Sequence, residues 1–263
     1  MTGYRYVLLD PTGNLTCLVL DAVPPDKEKQ VTAALLAECE QVAYLEKPKT
    51  KEARAAIRMM GGEFCGNAAM ATAAYLVREE LKPGEEADVP LEVSGAEGVL
   101  SCHVKALGDC FEGTVPLPDI LEVFPRTDWG IPMTAVRMEG IIHLIYCEKE
   151  LKREDAESTL VSLAKTLPDD AAGLLHWDAQ SGFMRPLVYV PGSGSLVWEH
   201  GCGSGSAAVG AAEALRKGDG THTTRVRQPG GEIRACVCTD HGRIRWVRIT
   251  GQVRCGKTRT LAI

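Results

Sequence analysis

Alternation of apolar and polar positions runs through most of the chain and predicts short strands broken by a few helices. Tyr4–Leu9 and Leu15–Leu20 read as two strands around the turn Pro11-Thr12-Gly13-Asn14. Asp26–Glu40 has a helical period, and Gln41–Leu45 is extended. Met133–Tyr146 and Leu187–Val190 contain strand-like runs, with an amphipathic helix over Asp155–Leu167 between them. Val197–Glu199 is a short strand, Thr223–Arg227 another, and Arg243–Ile249 alternates strongly. Lys82–Val89 reads as a polar loop. Many alternating strands with few helices predict an α+β fold and not a parallel doubly wound sheet.

Two segments break this pattern in the same way. Phe64-Cys65-Gly66-Asn67 opens a run of Ala and other small residues, and so does Gly201-Cys202-Gly203-Ser204. Ala is the best helix former, and small side chains let neighbouring backbone come close. Each segment therefore predicts a loop turning into a buried helix, with the cysteine at its N-terminal mouth and Asn67 or Ser204 as N-cap. About half the chain separates the two cysteines. A second echo follows each helix: VSGAEGVLSCHV (93–104) and RQPGGEIRACVC (227–238) are both glycine turns leading into an alternating strand. Self-similarity at half the chain length predicts two lobes of like topology, each with one central helix.

Bulk composition leaves that picture intact and narrows the partners. The chain has 263 residues, enough for two modest lobes. A formal charge of −6 disfavours nucleic acid or an anionic membrane as the main partner. No apolar stretch is long enough to span a bilayer, and the N-terminus lacks a signal-peptide pattern, so the expected location is the cytoplasm. There are 10 cysteines, none in a C-x-x-C pair, and no clustered Cys/His set that a zinc site needs. No metal and no cofactor is expected. In a reducing compartment most of these thiols are small buried hydrophobes.

Cys65 and Cys202 differ from that background by their setting. A free thiol, with a pKa of about 8.5, is a poor base at neutral pH. At a helix N-terminus, unpaired N–H groups and the macrodipole favour the thiolate. The same amides suit a carboxylate and the charge that grows on it when an α-proton leaves. A thiolate and a thiol on opposite faces of an amino acid could remove the α-proton on one side and return one on the other. That is racemisation without a cofactor. The plainer alternative, two core cysteines, explains one such residue better than it explains a matched pair.

At these residues the chain resembles the diaminopimelate epimerase fold family, whose halves each carry a catalytic Cys-Gly-(Asn/Ser/Thr) at a helix start. The likeness continues through Gly13-Asn14, Glu40-Gln41-Val42, Pro229-Gly230-Gly231 and Thr250-Gly251. Within the family it is closest to the histidine racemase branch of staphylopine-type metallophore biosynthesis. DPTGNLT (10–16), EQVAYLE (40–46), GGEFCGNAAM (61–70) and LVYVPGSGSLVWEHGCGSGSA (187–207) carry that likeness. The resemblance implies two pseudo-symmetric lobes, each a curved, mainly antiparallel sheet around a central helix. The N-terminal lobe would take residues 1–116 and be completed by 252–263, and the C-terminal lobe would take 117–251. It also implies Cys65 and Cys202 as the catalytic pair, with Gly66, Asn67, Gly203 and Ser204 gripping the substrate carboxylate and Asn14 and Gln41 lining the cleft. Taken alone, Asn14 is equally well a turn residue. The resemblance allows a homodimer.

One departure bears on the substrate. Diaminopimelate epimerases carry a Glu-Arg pair at the ninth and eighth positions before the second cysteine, where this chain has Ser193 and Gly194. An Arg is the natural bidentate grip for a distal carboxylate, and Arg185 lies too far back to replace it. The family's Asn in the strand before the first cysteine is also missing, with Met59-Met60 standing there. A diaminopimelate substrate is disfavoured, and an imidazole side chain fits better. Glu199 is the candidate to accept an imidazole N–H, with the α-ammonium or a helix cap as its alternatives. Trp198 reads as packing and His200 as structural. The expected partner is a small amino acid. A racemase of another amino acid and a non-catalytic thiol redox or metal-binding protein are the competing readings.

Overall fold

The computed structural model describes residues 3–192 and 194–263, so Ser193 lies outside the described residues. Two compact units emerge, one ending at Pro116 but also containing Thr250–Ile263, the other spanning Leu117–Ile249.

The first unit runs β1 (Gly3–Pro11), β2 (Thr16–Val19), α1 (Pro25–Leu35), β3 (Gln41–Glu46), β4 (Ala55–Met59), α2 (Gly66–Val77), β5 (Glu86–Val93), β6 (Leu100–Ala106) and β7 (Phe111–Pro116). Neighbouring strands pair antiparallel except β2 with β3 and β4 with β5, which are parallel. A parallel step cannot be closed by a tight turn, and a helix crosses each one, α1 the first and α2 the second.

The second unit repeats the scheme. Its elements are β8 (Ile120–Asp128), β9 (Ile131–Met138), β10 (Ile141–Tyr146), α3 (Arg153–Ala164), β11 (Ala171–Asp178), β12 (Phe183–Val190), β13 (Ser195–Trp198), α4 (Gly203–Lys217), β14 (Gly220–Gln228), β15 (Gly231–Asp240) and β16 (Arg243–Ala262). Here β10–β11 and β12–β14 are the parallel steps, crossed by α3 and α4, and β13 is a hairpin arm on β12. Residues 243–249 of β16 belong to this unit. The rest of that strand returns to the first unit and pairs antiparallel with β1, from Gly3↔Ala262 to Pro11↔Val253.

The two helices of a unit sit in different surroundings. α1 lays Val31 and Leu35 on Tyr4, Tyr6, Cys17, Val19, Val42 and Tyr44 and leaves its other face in water. α3 does the same with Ala156, Leu160 and Leu163 on β9–β12. α2 is instead buried on all sides, packed on β1, β5, β6 and β7. A helix so enclosed must be thin, and the Ala run makes it so. In α4 the approach is closer still: a Cβ on Gly210 would stand 2.6 Å from Ala235 Cβ on β15.

Several boundaries differ from the sequence reading. α1 ends at Leu35, not Glu40, because the chain must extend for the Glu40 and Gln41 N–H groups to reach the Leu15 carbonyl. The polar stretch 82–89 is loop only to Glu85, and its remainder forms the exposed start of β5. The short strand before Cys202 is Ser195–Trp198, one residue short of Glu199. The pattern did not announce strands β4, β7, β8 and β11.

Candidate active site

In the first unit the N-cap of α2 is Cys65 itself, with Sγ accepting the Ala68 N–H at 3.4 Å. This corrects the expectation of Asn67 as cap: Asn67 lies inside the first turn, and the sulfur reaches back to the third helical amide where an Asn or Ser oxygen usually would. The loop before Cys65 is pinned by Ser94, whose Oγ accepts from Met59 N at 2.9 Å and donates to the Glu63 carbonyl at 2.8 Å. Gly95 follows with φ +69°, and a Cβ there would lie 2.3 Å from Phe64 N, so only glycine lets the two loops touch.

Asn14 and Gln41 are brought to the sulfur. Asn14 is 4% exposed, held by a turn in which Asp10 accepts the Gly13 N–H. The Cys65 thiol donates to Gln41 Oε1 at 3.3 Å, Gln41 Nε2 donates to Asn14 Oδ1 at 2.5 Å and to Thr16 Oγ1 at 2.8 Å, and Asn14 Nδ2 donates to Glu40 at 3.1 Å. A carboxylate only accepts, so Glu40 fixes the Asn14 amide, which fixes Gln41, which leaves an oxygen facing the sulfur. The chain of bonds has one direction.

In the second unit Cys202 caps α4, its Sγ accepting from Gly205 N at 3.3 Å, and Ser204 lies within the first turn. The expectation of Ser204 as cap is corrected on the same ground. Gln228 accepts the Cys202 N–H at 2.6 Å and donates to Ser206 Oγ at 2.9 Å, while Ser206 Oγ donates to the Cys202 carbonyl at 2.7 Å. This ring leaves the Cys202 backbone no freedom.

Opposing influences act on the Cys202 sulfur. Burial pushes its pKa well above the ordinary thiol value, and the charge and hydrogen bond of Glu199 push it further the same way. Ser204 and the Gly205 N–H oppose them. Ser204 Oγ stands 3.7 Å from Sγ and 2.9 Å from His143 Nε2. His143 is fully buried on β10, and burial lowers its pKa to about 4, so its imidazole is neutral. Its Nδ1 has no hydrogen-bond partner among the described residues and lies against Gly173, where a Cβ would come within 2.2 Å. A buried N–H without an acceptor is rarer and costlier than an idle lone pair. The proton is therefore on Nε2, donating to Ser204, and the Ser204 hydroxyl proton is left for the Cys202 sulfur.

Glu199 thus lies beside Cys202, just beyond β13, its N–H bonded to the Pro186 carbonyl at 3.0 Å. Trp198 points the other way, its Nε1 donating to Glu157 at 2.7 Å and its ring packed on the α3 cluster. His200 is exposed, and its carbonyl takes the Gly230 N–H at 2.7 Å. Gly66, Asn67, Gly203 and Ser204 supply the first-turn amides, for which helix geometry provides no acceptor within the helix. Sequence reasoning missed Thr16, Glu40 and Ser94 in one unit, and His143, Ser206 and Gln228 in the other. His143 did leave a signal, as the one polar side chain in the apolar run Ile141–Tyr146.

The family model described as Histidine racemase CntK N-terminal domain matches residues 4–258. The chain belongs to this family. It is 28% identical over 236 residues to a histidine racemase from Staphylococcus aureus, covering 85% of each chain. It is 29% identical over 281 residues to a diaminopimelate epimerase from Xanthomonas campestris pv. campestris, covering 95% of this chain and 91% of that one. Among solved structures, a probable proline racemase from Agrobacterium radiobacter K84 superposes with a TM-score of 0.69 at 17% identity, covering 99% of this chain and 93% of the other. Membership in the family brings the two cysteine-capped helices under one fold that epimerases and racemases share. Among the described residues, no helix is long and apolar enough to cross a membrane, and no group of three His, Cys, Asp or Glu side chains is placed to hold a metal ion.

Proposed function

We propose that this chain is a cofactor-independent racemase that interconverts L- and D-histidine, with Cys65 and Cys202 exchanging the roles of base and acid. The observation that carries the reading is the duplicated helix mouth: each unit ends a buried small-residue helix on a cysteine whose sulfur accepts a first-turn amide. Inversion requires a base on one face of the α-carbon and an acid on the other. The proposal assigns those places to the two sulfurs and the carboxylate to the amides of Gly66, Asn67, Gly203 and Ser204. Asn14 and Gln41 complete the Cys65 side. Glu199 takes the Cys202 proton when that sulfur must act as base, and the Ser204 hydroxyl then stabilises the thiolate.

The choice of histidine rests on the family and on Ser193-Gly194, which offer a distal carboxylate no cationic grip. The same reading puts the reaction in the cytoplasm, as a source of D-histidine for a metallophore, with a homodimer as the assembly to look for.

Hydrogen–deuterium exchange at the α-carbon, followed across a panel of amino acids in heavy water, tests the reaction and the substrate together. Histidine is expected to exchange fastest, and faster turnover of diaminopimelate would overturn the substrate assignment. No exchange with any amino acid would favour a thiol redox or metal-binding protein. Cys65→Ala and Cys202→Ala should each remove racemisation while keeping the fold. Full activity in either folded variant would end the two-thiol mechanism.

A further inference from the structure

The two helix mouths hold their cysteines by different means. At α2 a side chain grips the sulfur, Gln41 accepting the Cys65 thiol at 3.3 Å. At α4 the grip is on the main chain. Gln228 Oε1 takes the Cys202 N–H at 2.6 Å, Gln228 Nε2 donates to Ser206 Oγ at 2.9 Å, and that hydroxyl gives its proton to the Cys202 carbonyl at 2.7 Å. A backbone N–H only donates and a hydroxyl has one proton, so each bond of the ring has a fixed sense. Cys202, Ser206 and Gln228 are all buried.

A cysteine cap does not need this ring. Cys65 caps α2 with Ala69 in the place that Ser206 holds on α4. The Ala69 N–H reaches the Cys65 carbonyl at 3.0 Å, just as the Ser206 N–H reaches that of Cys202 at 3.0 Å. The ring also stands on a stiff base. Gln228 closes β14, with the Arg227 N–H on the Gly182 carbonyl at 2.8 Å, the Gly230 N–H on the His200 carbonyl at 2.7 Å, and Pro229 between them.

A helix start leaves four N–H groups without an acceptor inside the helix. On α4 two are engaged: Gln228 holds that of Cys202, and the sulfur holds that of Gly205 at 3.3 Å. The amides of Gly203 and Ser204 are outside the ring. Without Gln228 the buried Cys202 N–H loses its acceptor, and the peptide can turn to seek another, carrying the sulfur with it. A displacement of about 1 Å in a reacting group can cost about a hundredfold in rate.

We propose that Gln228, acting with Ser206, is a positioning residue that clamps the Cys202 main chain and so aims its sulfur at the substrate α-carbon. The assignment rests on the racemase reading. It places the effect in turnover: the Gly203 and Ser204 amides belong to the first turn of α4 and survive the loss of the ring, whereas the aim of the sulfur does not.

Histidine racemisation by full-length wild type, Gln228→Met, Ser206→Ala and the double variant tests the clamp. Each single variant should lower kcat by about ten- to a hundredfold and leave KM within about threefold. The double variant should be no slower than the slower single one, because a ring opened twice is still one open ring. Gln228→Glu adds a pH readout. A buried carboxyl keeps its proton at low pH and then accepts and donates as the amide does; ionised, it cannot donate to Ser206. Its kcat relative to wild type should therefore fall as pH rises, while Gln228→Met stays slow throughout. A folded Gln228→Met as fast as wild type would overturn the clamp, as would a loss confined to KM or losses that multiply in the double variant. Ser206→Ala, the smaller change, decides the matter if Gln228→Met does not fold. Amide hydrogen exchange resolved by NMR reads the clamp without the reaction. Exchange at Cys202 should quicken about tenfold or more in Gln228→Met, while Ala208 and Val209, deeper in α4, keep their protection. Unchanged protection at Cys202 would overturn the clamp in a protein that racemises histidine. Quickened exchange in a protein whose wild type moves no α-proton would instead overturn the racemase reading, and the catalytic role of Gln228 with it.

Discussion

Glu40 stands three hydrogen bonds from the Cys65 sulfur, by way of Asn14 and Gln41, yet it decides which atom of Gln41 that sulfur meets. No periodicity announces such a role, because the bonds run between side chains 24 to 27 residues apart in sequence. The cysteines were legible from repetition, while the groups that tune them were not. Glu199 is the instructive case: expected at the substrate, it also bears on the Cys202 thiol by charge and hydrogen bond. Its carboxylate acts on the thiol whatever the substrate, so Glu199→Gln should slow α-exchange of histidine and of alanine by similar factors. A charge-assisted bond contributes roughly 1.5–3 kcal/mol, or about one to two powers of ten in rate. A loss confined to histidine would return Glu199 to the imidazole. His143 predicts a pH effect on stability. Its pKa in the fold is about 4 against an ordinary 6.5, so the unfolded chain takes up a proton first as pH falls. Stability from this group is complete above pH 6.5 and lost toward pH 4, by about 3 kcal/mol. Urea midpoints for wild type and His143→Gln should converge across that window; parallel midpoints would refute the buried neutral imidazole.

At the scale of elements, pattern reading weakens where both faces of a strand are covered, and it also passed over the short alternating β7 and the largely exposed β8. β1, β6 and β15 alternate and were read; β11 is buried at Ala172–Leu175 on consecutive positions and shows no period to read. β4 is similar, with Ala55, Ala56 and Ile57 all buried. The capping of α2 and α4 by sulfur was hidden for another reason: Asn and Ser are the better caps on average, and only the geometry reveals that Cys65 and Cys202 pre-empt them. The tight contact of α4 on β15 allows a test of how far the small-residue rule is a packing rule. Ala in place of Gly210 gains about 1 kcal/mol of helix propensity. It also sets a methyl 2.6 Å from Ala235 Cβ, and overpacking typically costs about 1–3 kcal/mol. Gly210→Ala should therefore lower the melting temperature, and adding Ala235→Gly should restore most of the loss. Stabilisation by the single change would show that the helix can move off the sheet at little cost.

For the whole molecule, the cysteine loops and glycine turns repeat in order along the sequence, and each unit has two parallel steps, each crossed by a helix, among its antiparallel ones. The return of β16 to β1 was not written in any local pattern, since it joins residues from opposite ends of the chain. Along β1, Val7 and Leu9 are fully buried, and every position from Gly3 to Val7 is paired with β16. Removing residues 254–263 should expose that edge, lower the stability of the first unit by several kcal/mol and promote aggregation through β1. Light scattering and urea denaturation of the truncated protein measure both, and a truncated protein as stable and monomeric as the full chain would contradict the pairing. The same strand sets an order of events during synthesis. The ribosome delivers the first unit's opening strands early, but their partner β16 emerges only after the whole of the second unit. The second unit, one uninterrupted stretch from Leu117 to Ile249, has all its pieces earlier. The unit begun earlier is completed later, and until β16 arrives β1 is an open edge in need of shelter.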